Sequence, residues 1–251
     1  MAGSTELLIG RRGPPWHALL PAATAAALGV VAASWAEIID SIAAGVALLC
    51  FALGAALVAQ RWRRAVPPSA SASFGVANSV TLVRVVGTTW AAALASQALL
   101  GDLARSGQAL LAVIGTVCLI LDGVDGRLAR SRGEVSDFGA RFDVETDAAL
   151  LLFLSVAVGA LAAVGWWVLA VAGMRYVYVA ASWVVPALRI PLPYSYTRKV
   201  VAVVQGVALL LCLVLDLVSA PTWLLATIVA AGLGCLCWSF GRDVAWQLRH
   251  R

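Results

Sequence analysis

The sequence predicts an all-α polytopic membrane protein, and three observations support that prediction. Hydrophobic residues make up 62% of the 251-residue chain and charged residues only 12%, whereas soluble domains are about 45–50% apolar. The mean hydropathy is +0.92. Apolar runs of roughly 20 residues also recur between short polar breaks, and a run of that length allows a helix to cross a ~30 Å hydrocarbon layer.

Two apolar runs come first in the chain. Arg11, Arg12 and two prolines precede a run at about 16–35, which is longer than the apolar core of a cleavable signal peptide and is therefore predicted to be a membrane anchor. A second run, at about 41–60, follows a short polar turn. The next segment, 61–77, begins with arginines and continues with Pro, Ser and Ala, a composition typical of a linker.

Six further runs predict a membrane domain at 78–243, followed by a short polar tail at 244–251. Their approximate limits are 80–100, 107–121, 148–164, 166–185, 200–218 and 223–240. The run that starts at Gly107 is short for a full crossing. Its helix is therefore predicted to continue past Leu121 and to carry the first acidic residues of the next segment. Together with the first two runs, they predict eight transmembrane helices.

The charge distribution predicts the orientation of these spans. The net charge is +5 and the pI is near 9.3, but basic residues in a membrane protein usually mark its cytoplasmic side rather than a nucleic-acid interface. If the N-terminus is in the cytoplasm, successive polar breaks between spans lie alternately on the two sides of the membrane. All arginines that lie outside the spans then fall on the cytoplasmic side, except Arg105, which lies on the other side. We therefore expect a multi-pass protein of the cell membrane, with both termini and the acidic segment in the cytoplasm.

The cysteines and histidines exclude several kinds of site. All five cysteines lie inside apolar runs, and none forms a Cys-x-x-Cys pair, so neither a zinc ribbon nor a disulfide framework is predicted. His17 and His250 lie near the two ends of the chain. That placement argues against a His-based catalytic triad and against an HExxH zinc site.

Acidic residues concentrate in one segment, 121–150, which contains Asp122, Asp125, Glu134, Asp137, Asp143, Glu145 and Asp147. On a helix, the first two aspartates share a face three residues apart, and Asp143 and Asp147 share a face four residues apart. Like charges so placed repel, and an ionised carboxylate near the bilayer core is costly. Hard divalent cations with oxygen ligands would offset both effects. Helix capping explains a single aspartate but not four at this spacing.

Eight positions resemble the signature of the CDP-alcohol phosphotransferase family, D-x2-D-G-x2-A-R-x8-G-x3-D-x3-D, in residue type and in spacing. They are Asp122, Asp125, Gly126, Ala129, Arg130, Gly139, Asp143 and Asp147, with Ser131–Phe138 in the eight-residue gap. The resemblance extends upstream to Asn78, Thr81 and Arg84. It implies that the six spans in 78–243 form the six-helix CDP-alcohol phosphotransferase core, and that the first two spans are additional N-terminal transmembrane helices.

The resemblance also implies an activity. Such an enzyme transfers a substituted phosphate from a CDP-linked alcohol to the hydroxyl of a second alcohol and releases CMP. The four signature aspartates are expected to bind two divalent cations, Mg²⁺ or Mn²⁺, and Asp147 is expected to act as the general base. The residues implied in nucleotide binding are Gly126, Ala129, Arg130, Gly139, Asn78 and Thr81. A homodimer is a further expectation from the family.

Five basic residues outside the signature have two interpretations. Arg198 and Lys199, with Arg189, lie on the predicted cytoplasmic side, where they either bind a phosphate of the acceptor or an anionic headgroup, or serve as positive-inside anchors. Arg84 and Arg175 lie at membrane depth, where an ionised side chain indicates function. For Arg84 we expect either a place facing the nucleotide cavity or a pair with a signature acid.

Alternatives stay open at this point. CDP-diacylglycerol is the expected donor in a phospholipid-synthesis reaction, with glycerol 3-phosphate, inositol phosphate, inositol, serine or a second phospholipid as acceptor. Amino-alcohol transfer from a soluble CDP donor to diacylglycerol also fits the signature. A transporter with an acidic ion site is the alternative from another class of protein. Acids concentrated at one boundary, without mid-span acids, favour the enzyme.

Overall fold

The described part of the chain forms α-helices and no strands. A computed structural model of the protein describes residues 16–35, 39–65, 76–132, 137–190, 192–193 and 195–250, with no side-chain description at 125–126 and 128–130 among others. The helices are α1 (Trp16–Trp35), α2 (Ser41–Ala65), α3 (Val76–Leu100), α4 (Arg105–Arg132), α5 (Asp137–Leu161), α6 (Ala170–Val184), α7 (Tyr196–Leu217) and α8 (Thr222–Arg249). Two short 3-10 helices, Trp166–Leu169 and Pro186–Arg189, flank α6.

Seven helical segments, α2 to α8, are long and apolar enough to cross a membrane, counting only described residues, with α6 counted together with the 3-10 helix before it as Trp166–Val184. The described apolar part of α1 is shorter, Leu19–Val30, so α1 is not among the seven. The predicted all-helical polytopic membrane fold is confirmed. Helix α4 also continues past Leu121 to Arg132, as its short apolar run predicts.

Helix α3 lies at the centre of the bundle and packs against α2, α4 and α5. Its Ala91–Ala95 turn is at most 1% exposed. Between helices in lipid there is little hydrophobic driving force, so close van der Waals packing through small side chains provides the association energy. Helices α4 and α5 pack mainly on α3, and also on α7, with few contacts to each other, so α3 makes the largest contribution to their relative position.

The two N-terminal helices cover one face of α3. Val58 of α2 packs with Leu82 and Val85 of α3, and Leu19 of α1 and Phe142 of α5 pack against the same cluster. Leu82 and Val85 are only 3% and 8% exposed. The additional helices therefore bury the part of α3 that also carries Arg84.

One end of the bundle is closed by polar side chains that bind helix-terminal carbonyls. Arg105 donates to the carbonyl oxygen of Leu217 at 3.1 Å. Gln108 donates to the carbonyl oxygen of Leu213 and to Asp216, both at 2.9 Å. The Arg105 bond satisfies a carbonyl that the end of α7 leaves without a helical partner, and the Gln108 bonds tie α4 to the same end of α7. The acidic segment 121–150 lies at the opposite end, since α4 runs from Arg105 towards it.

Two helices extend beyond the limits that hydropathy predicts. Helix α2 continues to Ala65, into the segment predicted as a linker from residue 61, and α3 begins at Val76; residues 66–75 lie outside the described residues. Helix α8 continues to Arg249, through residues predicted as a polar tail. Hydropathy locates only the apolar part of a helix, whereas the backbone hydrogen bonds of a helix can continue through polar residues.

Gln247 is such a residue, and we expect the Gln247→Leu variant to lower the melting temperature by about 4–10 °C. Its side chain is 1% exposed, donates to the carbonyls of Leu188 and Ile190 at 3.2 and 2.7 Å, and accepts from the Tyr178 hydroxyl at 2.8 Å. Leucine would leave these polar groups without that partner. Thermal unfolding in detergent measures the change, with the exposed Arg249→Gln as the control; equal melting temperatures would contradict the prediction.

Candidate functional site

Three aspartates from two helices converge at one end of the bundle. One carboxylate oxygen from each of Asp122 of α4 and Asp143 and Asp147 of α5 lies within 4.8 Å of the other two. Their side chains are half-buried, 26%, 32% and 37% exposed respectively. The cluster is therefore shielded by protein on one side and open to ligand on the other.

Helix geometry and helix packing both contribute to this convergence. Asp143 and Asp147 lie one turn apart on α5, so they share a face. Asp122 comes from α4, which has few contacts with α5 and shares its larger neighbours α3 and α7 with it. A Cβ built on Gly87 of α3 would lie 2.5 Å from the Cys118 sulfur of α4. That close approach, one helical turn before Asp122, brings α4 near enough to α3 to place Asp122 beside the two aspartates of α5.

Arg84 of α3 lies at the centre of the cluster. Its guanidinium pairs with Asp122 at 3.2 Å and forms close hydrogen-bonded ion pairs with Asp143 and Asp147. The Arg84 side chain is 1% exposed, and a buried charge of this kind is tolerated only when it is paired and hydrogen-bonded. Of the two expectations for Arg84, the pair with a signature acid is confirmed, and it involves three acids.

The charge of the described cluster suits a divalent cation. Three carboxylates face one guanidinium, which leaves two formal negative charges in a partly dehydrated place. All the donor atoms are carboxylate oxygens, the ligands that hard cations such as Mg²⁺ take in proteins. The three described aspartates therefore fit a Mg²⁺ or Mn²⁺ site.

The other signature residues lie on the same three helices. The backbones of Gly126, Ala129 and Arg130 continue α4 beyond Asp125, where the side chains are outside the described part. Gly139 lies in the first turn of α5. On α3, Asn78 is half-buried and Thr81 is 3% exposed, one turn before Arg84. The structure thus gathers the predicted nucleotide-binding positions at the end of the bundle that holds the aspartates.

The basic residues proposed for the acceptor are placed differently. Arg189 donates to the carbonyls of Ser182 and Trp183 at 2.8 and 2.6 Å, which caps the last turn of α6. Arg198, in the first turn of α7, pairs with Asp243 of α8 at 3.3 Å and donates to the carbonyl of Pro193. Lys199 follows it and is exposed. The described bonds of Arg189 and Arg198 thus involve α6, α8 and the segment before α7.

Sequence reasoning missed the partner of Arg198. Asp243 is 9% exposed and pairs with both Arg198 and Arg242, and Arg242 also donates to the Ser195 hydroxyl at 3.1 Å. The signal was present, because Asp243 is an acid that directly follows Arg242 at the end of an apolar run. Similarly, Arg175 pairs with the exposed Glu145 of α5 at 3.0 Å, which accounts for its charge at membrane depth.

Comparison with known families agrees with the geometry. The profile of the CDP-alcohol phosphatidyltransferase family matches residues 74–237, a segment that runs from just before α3 into α8 and leaves α1 and α2 outside. Searches of curated proteins and of solved structures find no match. The chain is an integral membrane protein, and its family comprises membrane enzymes that transfer a phosphatidyl group from a CDP-alcohol. Since the profile covers more than half of the chain and includes all three clustered aspartates, the chain belongs to the CDP-alcohol phosphatidyltransferase family.

Proposed function

We propose that the protein transfers a phosphatidyl group from CDP-diacylglycerol to an alcohol acceptor, with release of CMP, as a step in phospholipid synthesis. The observation that supports this most is the convergence of Asp122, Asp143 and Asp147 at one end of an apolar bundle, inside the segment that matches the family. The apolar helices suit a donor with acyl chains in the bilayer, and the polar end suits its nucleotide. Residues 78–243 are proposed as the catalytic unit.

Two divalent cations, Mg²⁺ or Mn²⁺, are proposed to bind the four signature aspartates. Asp122 and Asp125 would contribute from α4, and Asp143 and Asp147 from α5. Bound there, the cations would neutralise charge on the donor's pyrophosphate and stabilise the leaving oxygen of CMP. The negative charge that remains after pairing with Arg84 supports this assignment.

The protein's own groups are proposed to orient both substrates. Asn78 and Thr81 of α3, Gly126, Ala129 and Arg130 of α4 and Gly139 of α5 would bind the CMP part of the donor, with the Arg130 fork suited to phosphate. The acceptor hydroxyl oxygen attacks the phosphorus that carries the diacylglycerol group, and the bond from that phosphorus to the CMP oxygen breaks. Asp147 accepts the hydroxyl proton as general base.

The site is proposed to face the cytoplasm of the cell. At the aspartate end, the described arginines include Arg198, Arg242 and Arg249, while the far end carries Arg105 with the acids Asp102 and Asp216. Basic residues are retained on the cytoplasmic side. Arg198 and Lys199, with Arg189, are kept as proposed contacts for a phosphate on the acceptor. A homodimer is also proposed, and light scattering of the purified protein in detergent measures it.

A CMP-release assay tests the proposed reaction. Purified protein in nanodiscs, supplied with CDP-diacylglycerol, Mg²⁺ and each acceptor in turn, is expected to release CMP with at least one acceptor. The acceptors are glycerol 3-phosphate, inositol phosphate, inositol, serine and a phospholipid. EDTA is expected to abolish release, and added Mg²⁺ or Mn²⁺ to restore it. Mass spectrometry of the lipid products then identifies the acceptor.

The outcomes of this assay separate the alternatives. CMP release only from a CDP-amino alcohol with diacylglycerol would show the soluble-donor reaction instead. Ion flux into liposomes without CMP release would support the transporter. No CMP from any CDP-alcohol, with protein that unfolds cooperatively and is therefore folded, would overturn the proposed enzyme.

A further inference from the structure

Arg84 connects three helices at one point. It is a buried residue of α3, and its guanidinium pairs with Asp122 of α4 and with Asp143 and Asp147 of α5. Helices α4 and α5 pack mainly on α3 and α7 and have few contacts with each other. The two acidic groups, Asp122 on α4 and Asp143 with Asp147 on α5, are therefore held together by few direct contacts between their own helices. The carboxylates repel one another, and Arg84 offsets that repulsion at the place where they meet.

We propose that Arg84 is a positioning residue, an internal counter-ion that assembles the two acidic groups before a divalent cation binds, and that it competes with the cation for the same carboxylates. The metal part of this inference rests on the proposed function. The assembling part does not, since it concerns the metal-free protein alone.

The shape of the arginine side chain explains why one residue can hold both acidic groups. One terminal nitrogen pairs with Asp143, and the other pairs with Asp122 and Asp147, so the planar fork reaches α4 and α5 together. A lysine ammonium is a compact point charge without that fork. The Arg84 backbone is also tied in place, because its carbonyl accepts from the Thr88 hydroxyl at 2.8 Å and from the Cys118 thiol of α4 at 3.9 Å.

Competition follows from the atoms involved. Arg84 contacts the Oδ1 atom of each of the three aspartates, and the same carboxylates are those within reach of one cation. A cation that ligates these oxygens must displace the guanidinium bonds or share the oxygens with a positive charge beside it, and both lower its affinity.

Thermal unfolding in EDTA tests the assembling role. The Arg84→Gln variant is expected to melt about 5–10 °C below the native protein, because it leaves half-buried carboxylates without their counter-ion. The matched control is Arg175→Gln, which removes an exposed ion pair to Glu145 on the same helix α5 and is expected to change melting by less than about 2 °C. Equal shifts in the two variants would overturn the proposal.

Mn²⁺ binding, followed by electron paramagnetic resonance of the free ion, tests the competition. Arg84→Gln is expected to bind Mn²⁺ about 10-fold more tightly than the native protein. Mn²⁺ is also expected to raise the melting temperature of this variant by more than it raises that of the native protein. Unchanged or weaker Mn²⁺ affinity would overturn the competition.

The Arg84→Lys variant and melting in EDTA distinguish failure of the proposed metal site from failure of the assembling role of Arg84. If Arg84→Gln does not fold, Arg84→Lys carries the test, with a melting temperature in EDTA below the native value; an equal value would contradict the need for the fork. If the native protein binds no Mn²⁺, the proposed metal site fails, while the EDTA comparison still decides whether Arg84 assembles the acids.

Discussion

Replacing Asp147 by asparagine is expected to reduce CMP release by at least about 1,000-fold. The change removes the proposed proton acceptor and one oxygen ligand for a cation, while it preserves the size of the side chain. Asp143→Asn is expected to have a comparable effect, because it removes a ligand from the same face of α5. Initial rates of CMP release, measured with Mg²⁺ and the acceptor identified above, give the fold-change.

Glu145→Gln is the matched control for these variants. Glu145 lies between Asp143 and Asp147 on α5, but it is 57% exposed and pairs with Arg175 rather than with Arg84. An exposed ion pair contributes at most about 1 kcal/mol, so activity within about 3-fold of the native value is expected. Melting temperatures establish that each variant is folded. Activity retained in either aspartate variant would remove that residue from the proposed mechanism.

Gly87→Val is expected to destabilise the protein by about 3 kcal/mol and to lower CMP release in parallel. A Cβ on Gly87 would lie 2.5 Å from the Cys118 sulfur and 3.5 Å from Ile114, both on α4. Valine would therefore push α4 away from α3. Asp122 lies one turn beyond Cys118, so the same displacement would withdraw it from Asp143 and Asp147. Thermal unfolding measures the loss of stability. Mn²⁺ affinity and CMP release measure the withdrawal of Asp122.

A second substitution tests whether the Cys118 sulfur is the cause. Cys118→Ala in the Gly87→Val background removes the clashing atom and is expected to restore about half of the lost stability. Gly173→Ala is the control, since a Cβ at that position of α6 meets nothing within 4 Å and alanine favours the helix. No recovery in the double variant would show that α4 is held by other contacts.

The sequence predicted correctly those features that depend on residues within a single helix. The apolar runs predicted eight spans, and seven of them are long and apolar enough to cross a membrane in the described part of the chain. The short run after Gly107 correctly predicted that α4 extends through the first aspartates. The spacing of Asp143 and Asp147 placed them on one face, because helical periodicity alone relates residues four apart.

The pattern was less informative where two helices meet. Arg84 lies 59 and 63 residues before Asp143 and Asp147, and no local rule relates positions that far apart. The Arg198–Asp243 pair joins residues on α7 and α8, and it was not predicted for the same reason. Hydropathy located the apolar spans but not the ends of α2 and α8, since it does not distinguish a polar helix end from a polar loop.

What the sequence by itself determined is the helical membrane fold, the acidic segment and the family that its spacing resembles, because each depends on composition or on periodicity within one helix. Only the tertiary structure decided that Asp122 meets Asp143 and Asp147, and that a buried arginine lies among them. The reason is that α4 and α5 are positioned mainly through α3, where small side chains and Gly87 permit close packing. Packing distances of that kind depend on how side chains from separate helices fit together, which a linear sequence does not display.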